Sequence, residues 1–249
     1  MPAVFVHGNP ETAAIWGPLL AELGRDDVVA LSPPGFGAPA RDGWEATRAD
    51  YVTWLVTELE SIDGPIDLVG HDWGGGHVME VAMQRPDLLR SWSIDVAGIF
   101  HPDYVWHDMA QLWQAPDVGE ATVKAMIEGP LAERIANYEN LGMPTDVATE
   151  LASAIDETMG RCILALYRDA AQPALSEAAA NLPAAAARPG LVVVATEDHY
   201  VGNEAMARAS AEAAGATVSV LEGVGHWWML QDPATGAATL EAFWSRVGA

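Results

Sequence analysis

An aspartate stands in the middle of Gly70-His71-Asp72-Trp73-Gly74, where a short apolar run, 66–70, gives way to a helical pattern. A carboxylate in so tight a turn is costly to bury. A G-x-D-x-G pentapeptide between a strand and a helix has the geometry of a nucleophile elbow. Its glycines allow a sharp turn and let helix and strand approach. The middle residue is forced out at the strand's C-terminal end, beside a helix N-terminus. Serine is the usual occupant, and aspartate changes the chemistry. A serine oxygen attacking saturated carbon leaves an ether, which water does not readily cleave. A carboxylate attacking the same carbon leaves an ester, which water does cleave. Asp72 is ionised at neutral pH without help. It therefore suits displacement at sp³ carbon, releasing a halide or opening an epoxide. The plain alternative is a helix N-cap.

Two further segments argue against the plain alternative. "GVGHWWMLQDP" (223–233) puts His226 after the last apolar run, and "ATEDHYVGNE" (195–204) puts Asp198 after the run before it. Asp198 would hold the imidazole tautomer, and His226 would deprotonate the water that attacks the ester. "VFVHGNPETAAIW" (4–16) supplies a turn that belongs beside the elbow. There the backbone N–H groups of Asn9 and Trp73 would form an oxyanion hole. His7 reads as a satisfied structural histidine and Pro10 as a turn former.

Positioning these residues takes an alternating chain. Runs at 3–7, 28–31, 66–70, 91–98, 191–195 and 217–221 are short, apolar and bounded by Gly, Pro or Asp, as buried parallel strands are. Helical patterns fall at 11–23, 47–60, 75–84, 203–214 and 235–247. Alternation of this kind predicts an α/β fold with a mostly parallel sheet of about six strands. Between about 100 and 185 it stops, and the segment reads as helical, punctuated by Pro116, Pro130, Pro144 and Pro173. This predicts a core of 1–98 and 186–249, with 99–185 as a helical cap over the strand ends. "LPAAAARPG" (182–190) reads as a low-complexity return linker.

Composition narrows the function classes. Lys and Arg number 12 against 35 Asp and Glu, a net charge of −23, which argues against nucleic acid or an anionic membrane as partner. No apolar run is long enough to span a bilayer. No basic segment precedes the first apolar stretch, so a signal peptide is not expected and a soluble cytoplasmic protein is the default. The single cysteine, Cys162, permits no intrachain disulfide. The histidines show no metal-ligand spacing, so neither a metal nor any other cofactor is expected.

"HGNP", "SPPGFG" (32–37), "GHDWGG" and "GHWWMLQDP", with the order nucleophile, acid, histidine, resemble the α/β-hydrolase superfamily. The resemblance spans nearly the whole chain. It points to the aspartate-nucleophile branch of haloalkane dehalogenases and epoxide hydrolases. For dehalogenation it implies that side-chain N–H groups of Asn9 and Trp73 hold the departing halide; "AQLWQAPDVGE" (110–120) looks like a dehalogenase lid segment. For epoxide opening it implies two lid tyrosines as proton donors. Tyr167 in "LALYRDA" matches one, while Met109 stands where the other belongs, with Tyr104 and Tyr138 as substitutes. Some dehalogenases place their acid where Asp95 stands, making it the alternative to Asp198. Family members usually carry two strands before the H-G-x-P strand, so "VVAL" (28–31) is expected at the sheet edge, covered by the N-terminal region or by a dimer contact.

The leading expectation is carbon–halogen cleavage through an aspartyl ester, with epoxide opening second. The substrate would be a small apolar organic molecule, with water as co-substrate and the protein a monomer or homodimer. Trp106, Trp113, Trp227, Trp228, Met109 and Met229 are candidate pocket walls. A non-catalytic ligand binder on the same fold is a further class, disfavoured because all three triad positions hold competent residues. An ordinary esterase would want Ser or Cys at position 72.

Overall fold

The computed structural model describes residues 1–248. In chain order its elements are β1 (Ala3–Val6), α1 (Gly17–Glu22), β2 (Val28–Leu31), α2 (Arg48–Glu60), β3 (Ile66–Gly70), α3 (Trp73–Gln84) and β4 (Leu89–Ile94). Then come α4 (Asp108–Gln114), α5 (Val118–Glu128), α6 (Leu131–Asn140), α7 (Thr145–Ala154), α8 (Glu157–Asp169) and α9 (Ala174–Ala178). The chain closes with β5 (Gly190–Ala195), α10 (Glu204–Ala213), β6 (Thr217–Leu221), α11 (Trp228–Gln231) and α12 (Pro233–Val247).

The strands form one sheet in the order β2-β1-β3-β4-β5-β6, and every pairing is parallel. Burial follows position. Strands β1, β3 and β5 are buried at every residue, whereas β2 and β6, at the two edges, are mostly half-buried. That is why the central runs are continuously apolar rather than alternating. Parallel neighbours need crossovers, which the helices supply. One layer holds α1 and α12; the other holds α2, α3 and α10. Several helix starts are written in the sequence: a Thr47/Asp50 capping box opens α2, and Asp156, Asn203 and Asp232 cap α8, α10 and α12.

The chain runs from β1 outward to β2, then returns to β3 and proceeds the other way. The reversal between β1 and β3 opens a crevice at their C-terminal ends, the place where α/β sheets bind ligands. Both the Asn9 turn and the Asp72 turn leave the sheet there. As expected, β2 is an edge strand, with Val29 exposed. The N-terminal residues do not cover that edge, because they run as β1 on its inner side.

Three local expectations are corrected. The helix read at 11–23 divides into a 3-10 turn, Ala13–Trp16, and α1, because Pro18 restarts the chain at a helix N-terminus. The strand read at 91–98 ends at Ile94, and a 3-10 turn follows at Ala97–Phe100. The alanine-rich linker is a 3-10 helix, Ala179–Ala187, packed on α3 and anchored where Trp92 Nε1 donates to the Ala185 carbonyl. Alanine leaves little side-chain entropy to lose, so a segment that looks featureless in sequence docks closely. Helices α4–α9 are inserted in the chain between β4 and β5.

Candidate active site

Asp72 follows the last residue of β3 by two positions and precedes α3, with φ 50° and ψ −127°. This is a strained conformation for a residue with a Cβ. The glycines explain how the turn exists. A Cβ on Gly74 would lie 2.1 Å from the Val6 carbonyl oxygen, so α3 can seat against β1 only there. A Cβ on Gly8 would lie 2.1 Å from Asp72 Oδ1, so the H-G-N-P glycine is the space into which the carboxylate projects. The Asn9 backbone N–H donates to Asp72 Oδ1 at 3.0 Å.

His226 and Asp198 come to the same place. His226 Nδ1 lies 2.7 Å from Asp198 Oδ2, and His226 Nε2 lies 3.7 Å from Asp72 Oδ2. The first distance is a hydrogen bond; the second is too long for one. Burial works against the charge on all three groups. For Asp72 it dominates, and the pKa rises above the ordinary carboxylate value. For Asp198 burial is outweighed by the His226 charge and hydrogen bond, and the pKa falls. For His226 burial is outweighed chiefly by Asp198, and the pKa rises.

Asp95 lies beside this constellation but serves another histidine. It accepts from His71 Nδ1 at 2.6 Å, Trp228 Nε1 at 2.7 Å and the Asp72 backbone N–H at 3.1 Å. His71 Nε2 in turn lies 3.2 Å from Glu11 Oε1, which also accepts from Trp227 Nε1 at 2.6 Å. Both imidazole nitrogens of His71 face carboxylates, so both donate and the ring is an imidazolium. Burial opposes that charge, but Asp95 and Glu11 carry its pKa well above the ordinary value. Glu11 is held well below the carboxylate range despite its burial, by the His71 charge. Ligand atoms of Glu11, His71 and His226 lie within 4.8 Å of one another. A doubly donating His71 offers no lone pair to a metal, so the donor set does not fit one. The network was missed in the sequence because neither Glu11 nor His71 belongs to a spacing that pairs them.

A cavity of about 480 Å³ opens between the elbow and helices α4, α5, α6 and α8, with Asp72, His226 and Asn9 on its wall. The Asn9 side chain is buried, and neither Nδ2 nor Oδ1 has a protein partner. Whichever way the amide is turned, it presents an unused N–H₂ beside the carboxylate. Trp73 is the first residue of α3, so its backbone N–H has no intrahelical acceptor. Its ring stacks on Trp106 at 5.8 Å and meets Tyr167 edge-on at 5.2 Å. The two indoles line a narrow recess next to Asp72 rather than the main cavity.

Among the expected walls, Trp113, Trp227 and Met109 line the cavity, while Trp228 and Met229 are buried away from it. Tyr167 lines it too, and burial, then the Asp72 charge, pushes its pKa well up, so it stays protonated. The two substitute tyrosines are committed elsewhere: Tyr104 donates to the Tyr200 carbonyl and Tyr138 to the Pro10 carbonyl, each at 2.8 Å. His107 was not foreseen as a wall. It accepts at Nδ1 from Ala110 N–H as the cap of α4, which leaves the proton of the neutral ring on Nε2. Burial lowers its pKa to about 4, so the neutral form holds at physiological pH. His7 has the structural role expected, between the Gly8 carbonyl and Ser32 Oγ, with its pKa lowered to about 4 by burial.

No helix among the described residues is long and apolar enough to cross a membrane. The family model of the Alpha/beta hydrolase family matches residues 3–239. A curated relative, (E)-2-((N-methylformamido)methylene)succinate hydrolase of Acinetobacter baylyi, is 28% identical over 37% of this chain and 36% of its own length. An epoxide hydrolase of Caballeronia sordidicola is 33% identical over 36% of this chain and 29% of its own. These matches thus span about a third of the length of the curated relatives. A loop variant of a haloalkane dehalogenase from Bradyrhizobium elkanii superimposes with a TM-score of 0.73 at 18% identity, covering 100% of this chain and 91% of that one.

Proposed function

The chain belongs to the alpha/beta hydrolase family, and we propose from its site that it is a hydrolase that cleaves a carbon–halogen bond through an ester on Asp72. The carrying observation is the unpartnered Asn9 amide on the cavity wall it shares with the strained Asp72. A halide leaving into a largely apolar cavity needs donors already aimed at it, and buried donors without partners are otherwise unfavourable. Trp73, on the other side of the elbow, is the second candidate donor.

Asp72 attacks the carbon, the carbon–halogen bond breaks with its electron pair, and halide departs toward Asn9. His226 then takes a proton from water, and the hydroxide adds to the ester carbonyl carbon. The oxyanion meets the backbone N–H groups of Asn9 and Trp73. Collapse expels the alkoxide, which takes the proton from His226 and leaves as the alcohol, and the Asp72 carboxyl group loses its proton to solvent and becomes the carboxylate again. Asp198, at 2.7 Å from Nδ1, stabilises the imidazolium formed on the way. Ester formation also removes the Asp72 charge, one of the contributions that raise the His226 pKa. Ester formation therefore lowers the His226 pKa and leaves more of the ring neutral and free to take a proton than in the free enzyme.

Epoxide opening is the second reading, and Tyr167 favours it as a protonated hydroxyl on the cavity wall. The commitment of Tyr104 and Tyr138 to backbone carbonyls leaves it without a second tyrosine. Product analysis on brominated alkanes and on terminal or aryl epoxides separates the two. Halide release supports the first reading, and diol formation replaces it with the second.

His226→Gln tests the division of labour. Removing a general base slows its step by about 10²–10⁴-fold, and here only ester hydrolysis needs it. We expect one equivalent of halide per protein, no further turnover, and a mass increase equal to the alkyl group. Continued turnover would remove His226 from the mechanism. In the unmodified protein, activity should fall on the acid side as His226 protonates, with a midpoint above the ordinary histidine value because Asp198 raises its pKa.

A further inference from the structure

We infer that Arg134 is a carboxylate-binding residue of the substrate cavity, and that the preferred substrate is a small halogenated acid rather than a neutral haloalkane. The inference rests on the carbon–halogen reading above and deepens it. Arg134 lies on α6, in the lid, and is the only Arg or Lys on the cavity wall. No carboxylate among the described residues pairs with it, in a chain where acidic residues outnumber basic ones by 35 to 12.

The guanidinium is held by one end. Nη1 donates to the carbonyls of Ile127 and Ile155, each at 3.3 Å, which tie it to the last turn of α5 and the residue after α7. Nε is buried with no partner, and Nη2 makes no hydrogen bond. Nη2–H is the donor left over for a carboxylate, as a charge-assisted hydrogen bond. Anchoring Nη1 removes much of the rotamer entropy that a free arginine would lose on binding. A purely structural clamp accounts for Nη1 but leaves Nη2 without an acceptor.

Position fits the chemistry. Tyr138 lies one helical turn after Arg134, and its hydroxyl donates to the Pro10 carbonyl, next to Asn9. Arg134 thus stands roughly 6 Å along α6 from a residue that touches the reactive turn. Asp72 and Glu133 are the carboxyl side chains on the same wall, and Arg134 is the guanidinium there that attracts an anion. The cavity wall also carries Met109, Met126, Leu141 and Ile155, which suits a short methylene chain. A substrate of this form has carboxylate at one end and carbon–halogen bond at the other. Its product is the corresponding hydroxy acid.

The test pairs binding with turnover. Hexanoate and 1-hexanol are titrated against the protein by tryptophan fluorescence, and C3–C6 ω-bromoalkanoates are compared with the matching 1-bromoalkanes for halide release. We expect hexanoate to bind at least ~10-fold tighter than hexanol, and bromoalkanoates to show kcat/KM higher by about 10–100-fold, chiefly through KM. Arg134→Gln should abolish both preferences, bringing bromoalkanoate turnover down to that of the matching 1-bromoalkanes. Arg134→Lys, which keeps the charge without the fork, should retain part of each and decides the matter if the Gln variant loosens the lid. Equal binding of hexanoate and hexanol, or a preference that survives in Arg134→Gln, would overturn the inference. Tight hexanoate binding without halide release from any substrate would uphold Arg134 and instead sink the dehalogenase reading.

Discussion

Asp72→Asn is expected to reduce halide release by on the order of 10⁴-fold or more, because a neutral amide does not displace halide from carbon. The variant keeps an acceptor for the Asn9 N–H, so the elbow should retain its shape. Stability should move the other way. Burial raises the folded-state pKa of Asp72 above that of the unfolded chain. A carboxyl with a raised pKa favours folding fully only below the unfolded value near 3.9, and that contribution is lost as pH rises through the folded value. At neutral pH the ionised Asp72 therefore works against the fold, and the left-handed φ of 50° adds to this. Asparagine removes the charge and tolerates that φ. We expect unfolding at pH 7 to require as much denaturant as in the unmodified protein, or more. Retained turnover would exclude Asp72 as nucleophile. Lost turnover with a large loss of stability would make the effect one of folding.

The candidate site residues were legible because each sits at the C-terminal end of a strand, and strand ends are marked by composition. Apolar runs stop at Gly70, Ala195 and Leu221, and Asp72, Asp198 and His226 follow within a few positions. Local chemistry at the turn, above all the glycines that a Cβ would drive into Val6 or Asp72, is written in adjacent letters. The lid is a different case. Its helices were visible, but not which faces meet the crevice, since that depends on how α4–α8 pack on one another. Trp228 looked like a wall and is instead a donor to Asp95 under the elbow. Arg134 belongs to no motif in the sequence and was not singled out there. The triad acid was ambiguous for a similar reason: Asp95 and Asp198 both follow strands. Only the three-dimensional path shows His71 taking one and His226 the other.

His71→Gln is expected to lower stability by about 3–5 kcal/mol, the range for breaking a buried ion pair by removing one partner. The imidazolium is fully buried between Asp95 at 2.6 Å and Glu11 at 3.2 Å. Its loss leaves two carboxylates with no compensating charge in the core. For a chain of this size that corresponds to a fall in Tm of about 6–20 °C. The pH dependence carries the sign. The folded pKa of His71 is raised, so its contribution is complete below about 6.5 and is lost only as pH climbs through the much higher folded value. Glu11 is depressed, so its share is present above about 4.3 and lost as pH falls. The gap between His71→Gln and the unmodified protein should therefore be widest between about pH 4.5 and 6.5 and narrow only in alkali. Adding Glu11→Gln to His71→Gln removes one orphaned charge and should recover part of the loss, which neither a packing defect nor a global misfold would do. Activity gives a second reading. The His71 ring centre is 4.5 Å from that of His226, and its charge lowers the His226 pKa. Without it, the acid limb of the rate profile should move to higher pH. An unmoved limb together with an unchanged Tm would mean that His71 is neutral in the folded protein.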